Sequence, residues 1–431
     1  MKTLTLLPFL LLGCNLNSSI KIAGGSDSGS GDSDTDTDSD SDTDADTDTD
    51  TDTDVPPDEE EAPPDIVVDC HGTGDFELIQ EAIDAAVSPS RIGVKMCTYH
   101  ERLDMLGKQI DLYGIDGSTS TILDADQGGT AVDFERMESG WSRLAGFTIV
   151  DGLDEADGAA IEITQASVEL EDIVLEDNRG LSLIRSNGGS IDMQDVRIEG
   201  NDVITEGQAV YVDGGNINMV DTYIDCDGGT QALWHHVQAL IVDSELVCDT
   251  GYGVQDYHGE DRILRSKIYG GIAGYYAHDT ESTVEEPDSP SEVFYVENSV
   301  IGGGTYGLDV RYMHLELDNS VFYGTAGSAL MMTACDSGSW SINNVYAESA
   351  CGITGDQAFS DQYSSYWHNT ADACGVTLRP AVTTDPLFTS WPDDLTLGAG
   401  SPLIDAGYPA WDDTDGSRSD IGRYGGPAGG W

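Results

Sequence analysis

Nine short segments between Gly146 and Ala347 repeat one pattern: GFTI from Gly146, DIVL from Asp172, DVRI from Asp195, DTYI from Asp221, DSEL from Asp243, RSKI from Arg265, NSVI from Asn298, NSVF from Asn319 and NVYA from Asn344. Their starts are 26, 23, 26, 22, 22, 33, 21 and 25 residues apart. A unit this short, made of β-branched runs between glycine-rich turns, has too little apolar surface to fold alone. It must stack on its neighbours as a solenoid. Leucine-rich repeats share the period, but their Leu-x-x-Leu-x-Leu signature is absent and no unit carries a helical pattern. The remaining architecture is a parallel β-helix. Its several turns per coil account for 51 glycines in 431 residues, well above an average of about 7%.

The formal charge is −62. Of the 80 acidic residues, 18 lie between Asp27 and Asp65, which leaves 62 acids against 16 Lys and Arg in the body that follows. Such a surface repels nucleic acid and anionic lipid headgroups. It also repels polyuronates unless bound cations bridge the two, which makes calcium the one cofactor to consider.

The first residues, MKTLTLLPFLLLGC, join Lys2 to a short apolar run. That is the pattern of a secretory signal, too short to span a bilayer. Leu11-Leu12-Gly13-Cys14 resembles the lipobox of bacterial lipoproteins, which implies acylation of Cys14 after cleavage and anchoring by several acyl chains. From Asp27 to Asp54 Ser, Thr and Asp alternate, and VPPDEEEAPPD closes the tract. Low hydrophobicity, self-repulsion and proline predict a disordered spacer. The expected organisation is a signal peptide over 1–13, an acidic linker over 14–65, a β-helix over 66–385 and a closing segment over 386–431. The expected location is the bacterial cell envelope or surface, with the membrane reached only through the lipid anchor.

The folded part opens with a predicted strand at Asp65–Cys70, then a helix whose apolar face is Phe76, Ile79, Ile83 and Ala86. The runs G-T-G-D-F, I-Q-E-A-I-D-A-A, T-Y-H-E, Y-G-I-D-G and T-I-L-D-A resemble the opening of right-handed parallel β-helix proteins of the pectin lyase-like superfamily. DPLF from Asp385, SPLIDAG from Ser401 and DGSRSDIGRYGG from Asp415 are similar to the closing segment of secreted bacterial members. The resemblance covers most of 66–431 and implies an all-β right-handed solenoid with a helix across its open end. It specifies fold and export rather than activity, because the superfamily holds lyases, hydrolases, epimerases, esterases and adhesins.

Parallel strands lie about 4.8 Å apart, inside the roughly 4.4–6.8 Å Cα window of a disulfide. Residues one coil apart in one column can therefore be bridged. Cys226 and Cys248 each follow their repeat anchors by five residues, Cys351 and Cys374 sit in matching A-C-G-[IV]-T strings, and Cys70 and Cys97 end consecutive strands. Three disulfides follow, with Cys335 left over. In the anchor column, Asp172, Asp195, Asp221 and Asp243 give way to Asn298, Asn319 and Asn344. The column reads as a ladder of turn residues bonding their own backbone, or as a calcium strip. Stacked like charges require solvent, cations or protonation.

Candidate chemistry sits on the next strand of each coil. If its apolar positions face inward, Tyr211, Trp234, Gln255, Tyr275 and Asp309 face outward, followed two residues on by Asp213, His236, Tyr257 and Arg311. Aromatic rings at strand spacing suit the apolar faces of sugars, and the polar neighbours suit hydroxyls and carboxylates. The bland reading is a row covered by a loop, and residues 278–292 lengthen the coil here. Gly251–Glu260, GYGVQDYHGE, has a loose likeness to the Y-G-F-D-P-H-E motif of mannuronan C5-epimerases, with an insertion and Tyr257 in place of proline. For proton abstraction beside a uronate, Tyr257, His258, His278 and Arg311 are the candidate base and cation. No paired carboxylates for glycoside hydrolysis stand out, and no G-x-S-x-G elbow occurs. Asp413-x-Asp415-Gly416 is either half of a calcium loop or a polar turn. These features point to a surface β-helix that binds extracellular polysaccharide through Tyr211, Trp234, His236 and Tyr275. The alternatives are a lyase or uronate epimerase, and a structural or adhesion protein.

Overall fold

The computed structural model describes residues 63–429, apart from 136–139, 258–259, 279–292, 336–337, 356–358 and 380. The signal sequence, Cys14, nearly all of the acidic linker, His258 and most of the 278–292 loop lie outside the described residues. Parallel strands form sheets of 22 and 12 strands, and a two-stranded antiparallel ribbon follows near the C-terminus. The larger sheet turns a corner within each coil, so each of about 12 coils gives two faces to it and one to the smaller sheet. The result is a three-faced parallel β-helix.

The repeat anchors are the corners. Asp172, Asp195, Asp221, Asp243, Arg265, Asn298 and Asn319 all adopt φ between 43° and 53°, a left-handed conformation that Asp and Asn tolerate best among residues with a Cβ. At Gly146, φ 70°, a Cβ would approach the Gly114 carbonyl oxygen to 2.8 Å, so only glycine fits. Strand pairing skips the corner: Glu171 pairs with Gln194 and Ile173 with Val196, on either side of Asp172 and Asp195. In the last repeat Asn343 (φ 59°), not Asn344, is the corner, because Asp318 pairs with Ile342 and Val321 with Val345. The alignment starting at Asn344 is one residue late.

The residue after each corner supplies what the skipped ladder lacks. The amides of Thr222, Ser244, Ser266 and Ser299 donate to the hydroxyls of Ser244, Ser266, Ser299 and Ser320, each at 3.1 Å. The Ser320 amide donates to Asn344 Oδ1 at 2.7 Å and the Asn344 amide to Ser364 Oγ at 3.2 Å. A buried hydroxyl column thus replaces backbone pairing along the corner.

Inside, aliphatic columns run along the axis. Leu144, Leu170, Met193, Met219, Ile241, Ile263, Val296 and Leu317 occupy one register and are all buried. A helix, Ile79–Ala85, buries Ile79, Ala82 and Ile83 beside the first coil. A second apolar cluster lies outside the solenoid: Val300, Val321 and Val345 point out from the third face and are covered by Leu395, Leu403 and Ile421. The three expected disulfides form, with Cα separations of 6.5 Å for Cys70–Cys97, 5.0 Å for Cys226–Cys248 and 6.2 Å for Cys351–Cys374. Cys335 is buried and reduced.

Candidate functional site

The smaller sheet carries an outward column that changes character along the axis. Strand register aligns Asp104, Asp133, Glu162, Arg185, Tyr211, Trp234, Gln255, Tyr276 and Asp309. Tyr211, Trp234, Gln255, Tyr257 and Arg311 stand on the outer face as expected and are half-buried, and His278 joins them in register with Arg311. Asp309, expected outward as well, is buried in its pairing with Arg311. Tyr275 does not face outward. It is fully buried, and Tyr276 takes the outward place beside Gln255. The register expected from Gln255 to Tyr275 is displaced by one residue, since Val254 pairs with Tyr275 and Gln255 with Tyr276, and a one-residue slip moves a side chain to the opposite face.

Two kinds of aromatic packing divide this face. Tyr211 and Trp234 lie parallel, 4.5 Å between centroids and 2° between planes. The Arg185 guanidinium sits 4.7 Å from the Tyr211 centroid. Arg185, Tyr211 and Trp234 stand on successive strands, so each covers its neighbour's face and mainly ring edges reach solvent. Beyond Trp234 the rings tilt. Tyr257 meets Trp234 at 46°, Tyr276 at 69° and His278 at 61°, with centroids 5.8–6.4 Å apart. His278 also meets Tyr312 at 5.6 Å and Tyr252 meets Tyr276 at 5.7 Å. Rings tilted in this way do not cover one another's faces, and Tyr312 is 44% exposed. Gln255 Nε2 donates to the Tyr257 hydroxyl at 2.5 Å and Gln231 Nε2 to Gln255 Oε1 at 2.7 Å. His236, half-buried, stands 3.7 Å from Asp213.

Arg311 donates to both oxygens of buried Asp309, at 3.1 and 3.3 Å, and lies 5.2 Å from the Tyr276 centroid. That pairing holds the guanidinium pKa above its ordinary value. Burial pushes the phenols of Tyr252 and Tyr276 upward, so these two rings stay protonated donors. At the other end of the column burial comes first, and then repulsion from Glu135, Asp104 and Asp157, in raising Asp133 to about 6. Burial likewise raises Glu162, which accepts the Gly158 amide at 2.8 Å. This carboxylate stack is hard to see in the sequence because Asp104 and Asp133 lie ahead of the first repeat anchor at Gly146.

Beneath the aromatic row lies a buried polar cluster. His235, Asp256, Asp261 and Tyr275 are all fully buried. His235 Nδ1 lies 2.9 Å from the Val237 carbonyl oxygen and Nε2 lies 3.3 Å from the Tyr275 hydroxyl, which donates to Asp261. Asp261 also accepts the Ala239 amide at 2.8 Å. The signal was present in LWHHV, whose alternation turns Leu233 and His235 inward and Trp234 and His236 outward. His235, Asp256 and Asp261 form one of three groups, among the described residues, with ligand atoms within 4.8 Å of one another; the others are Cys70–His71–Cys97 and His100–Asp124–Asp126. Asp413 and Asp415 serve turns of the closing segment. Asp413 accepts the Gly426 amide at 2.6 Å, and Asp415 accepts the amide and hydroxyl of Ser417 at 2.8 and 2.6 Å.

No profile of a known protein family matches the chain, and no characterised protein matches its sequence. Solved structures do align with it. The catalytic domain of a GH87 alpha-1,3-glucanase in complex with nigerose is 10% identical, over 68% of this chain and 64% of its own, with a TM-score of 0.41. The A-module of a mannuronan C-5 epimerase from Azotobacter vinelandii is 14% identical, over 72% and 94%, at 0.40. A pectate lyase is 11% identical, over 80% and 90%, at 0.42. The chain thus spans less than two thirds of the glucanase domain. Its own strand pairing makes this chain a parallel β-helix.

Proposed function

We propose that this protein is exported, held at the cell envelope through Cys14, and binds neutral extracellular polysaccharide on the outer face of its smaller sheet. The observation that carries this reading is the open cluster of Tyr252, Tyr257, Tyr276, His278 and Tyr312, whose tilted rings leave faces for sugar packing beside amide and hydroxyl groups. The parallel Tyr211–Trp234 pair is closed on itself and supports that cluster from one side. Neutral glycans are favoured over polyuronates for two reasons. The Arg311 guanidinium is committed to Asp309, and the body carries a large excess of acid. Raised phenol pKa values at Tyr252 and Tyr276 also disfavour a tyrosinate base of the lyase or epimerase kind.

A glycan array probed with the full chain, in calcium and in chelator, tests the reading. Expected is calcium-independent binding to neutral glycans, weakened strongly in Tyr257→Ala and less in Trp234→Ala. Silence, or binding confined to polyuronates in calcium, overturns it, and the second outcome would return Asp413 and Asp415 to consideration as calcium ligands. Anchoring is checked by fatty-acid labelling that disappears in Cys14→Ala.

A second reading rests on Asp133. A carboxyl raised to about 6 by burial and neighbouring carboxylates has the form of a general acid. Release of reducing ends from any array-positive glycan, abolished in Asp133→Asn, would turn the binding protein into a hydrolase.

A further inference from the structure

The third face of the solenoid holds a cavity of about 590 Å³, well away from the strands that carry the aromatic row. Its position follows from one outward column. Register aligns Glu245, Lys267, Val300, Val321 and Val345 on successive strands. The three valines lie beneath the C-terminal segment, packed with Leu395 and Leu403. Glu245 and Lys267 lie just beyond that cover, and the cavity opens where the column turns from apolar to charged.

The next outward column shapes the floor. It reads Val247, Tyr269, Gly302, Tyr323 and Ala347. The Tyr323 ring lies across Gly302, where a Cβ would stand 2.0 Å from Cζ of that ring. A Cβ there would push the ring aside, so glycine lets the Tyr323 ring lie along the cavity wall. Trp391, at the turn of the ribbon formed by Phe388–Ser390 and Asp394–Leu397, completes the wall. It is braced edge-on by Tyr323 at 5.3 Å and Trp367 at 5.4 Å, and stacked by Phe388 at 5.6 Å.

We propose that this cavity is a binding site for the end of a neutral sugar chain. It lies on a different sheet from the Tyr257 cluster and does not depend on that cluster's reading. The lining gives the class of ligand. Carboxylates of Glu245, Glu348 and Asp393 stand around it and reject an anion. The Lys267 ammonium, which has no carboxylate within ion-pair distance among the described residues, offers hydrogen-bond donors to sugar hydroxyls. Tyr269, Tyr323 and Trp391 supply the apolar surface that a pyranose face packs on. A drug-sized cavity with an aromatic wall and a few convergent polar groups is the usual form of a small-ligand site.

The test is calorimetric titration of the full chain with neutral trisaccharides of glucose, mannose and galactose, read in parallel by tryptophan fluorescence. Expected is a saturable signal that Lys267→Met weakens by about tenfold or more without changing the melting temperature. In a Tyr257→Ala background, which removes the smaller-sheet site, the signal stays in place, and Trp391→Ala then abolishes it. Glu245→Gln, an exposed change that leaves the ribbon intact, serves as the second lining variant and weakens the same signal. Absence of heat with every sugar overturns the site. So does binding that survives both Lys267→Met and Glu245→Gln. Binding lost only in Tyr257→Ala overturns it too, while leaving the proposal for the smaller sheet standing.

Discussion

The upstream corners, Asp172 to Asp243, and the downstream corners, Asn298 to Asn343, share one backbone conformation, with φ from 43° to 59°. They differ in what lies above them. Asp195, Asp221 and Asp243 are exposed, and Asp243 binds Arg265 through two contacts of 2.6 and 2.7 Å. Asn298, Asn319 and Asn343 are buried under the C-terminal segment. The Asn298 amide donates to the carbonyls of Arg423 and Gly425 at 2.7 and 2.8 Å, and Asn319 donates to that of Asp420 at 3.1 Å. Asn343 Oδ1 accepts the Tyr408 amide at 2.7 Å. The corner conformation asks for a short polar side chain, and the cover decides between carboxylate and amide. Only an amide meets both the carbonyls and the amides of a dry segment.

Exchanging the two kinds of corner gives the largest expected effect. Asn319→Asp places a carboxylate against the Asp420 carbonyl in a buried site and removes the donor. It should cost about 3 kcal/mol, seen as a lower denaturant midpoint and as faster proteolytic cleavage within 398–426. Unchanged protection of that segment would break the link between amide and cover.

Asp318 is the next largest case, because it is a carboxylate in the covered half. It is buried, its Oδ1 has no hydrogen-bond partner among the described residues, and Glu297 lies opposite it. Burial first, then Glu297 and Glu316, raise it to about 8 from 3.8. The folded state therefore holds a proton that the unfolded state gives up near pH 4, and stability falls as pH rises from about 4 to about 8. Asp318→Asn should match the parent at pH 4 and exceed it by about 2 kcal/mol at pH 9. Parallel pH profiles of melting for the two proteins would sink this.

How much of this was legible from residues alone follows from the range of each contact. Corner spacing, disulfide partners and the outer row at Tyr211, Trp234, Tyr257 and Arg311 depend on neighbours one coil away, and the period of the repeat reveals those. Tyr275 was misplaced because AGYYAH offers two tyrosines and the preceding turn alone sets which faces in. The serines after the corners look like ordinary turn residues until the coils are stacked. The switch from Asp to Asn could be seen but not explained, since Asn319 meets Asp420 across 101 residues of chain. The cavity beside Trp391 was invisible for the same reason.

Loss of a rung in the hydroxyl column tests whether the corner is held in both halves by the same device. Ser266→Ala leaves the Ser244 amide without its acceptor in a buried site and should cost about 1 kcal/mol. Ser320→Ala, under the cover, should cost a similar amount, because each removes one acceptor from an identical 3.1 Å contact. Amide hydrogen exchange at Ser244 and Ser299 reads the two rungs separately. A much larger loss at Ser320 would mean that the C-terminal segment, not the column, holds the downstream corners.

The smallest effect belongs to the uncovered half. Asp221 is raised by desolvation, then by Asp195 and Asp243 on the adjoining coils, with Arg265 opposing. A raised carboxylate weakens the fold once it ionises, so Asp221→Asn should stabilise slightly at neutral pH and lose that advantage as pH falls into the carboxylate range. The residue is exposed and salt screens it, so the gain should stay within about 0.5 kcal/mol and shrink in 1 M NaCl. Differential scanning calorimetry at low and high salt measures it. A gain as large as the loss expected for Asn319→Asp would show that charge along the column, rather than cover, sets the choice of corner residue. An effect that vanishes with salt would leave cover as the cause.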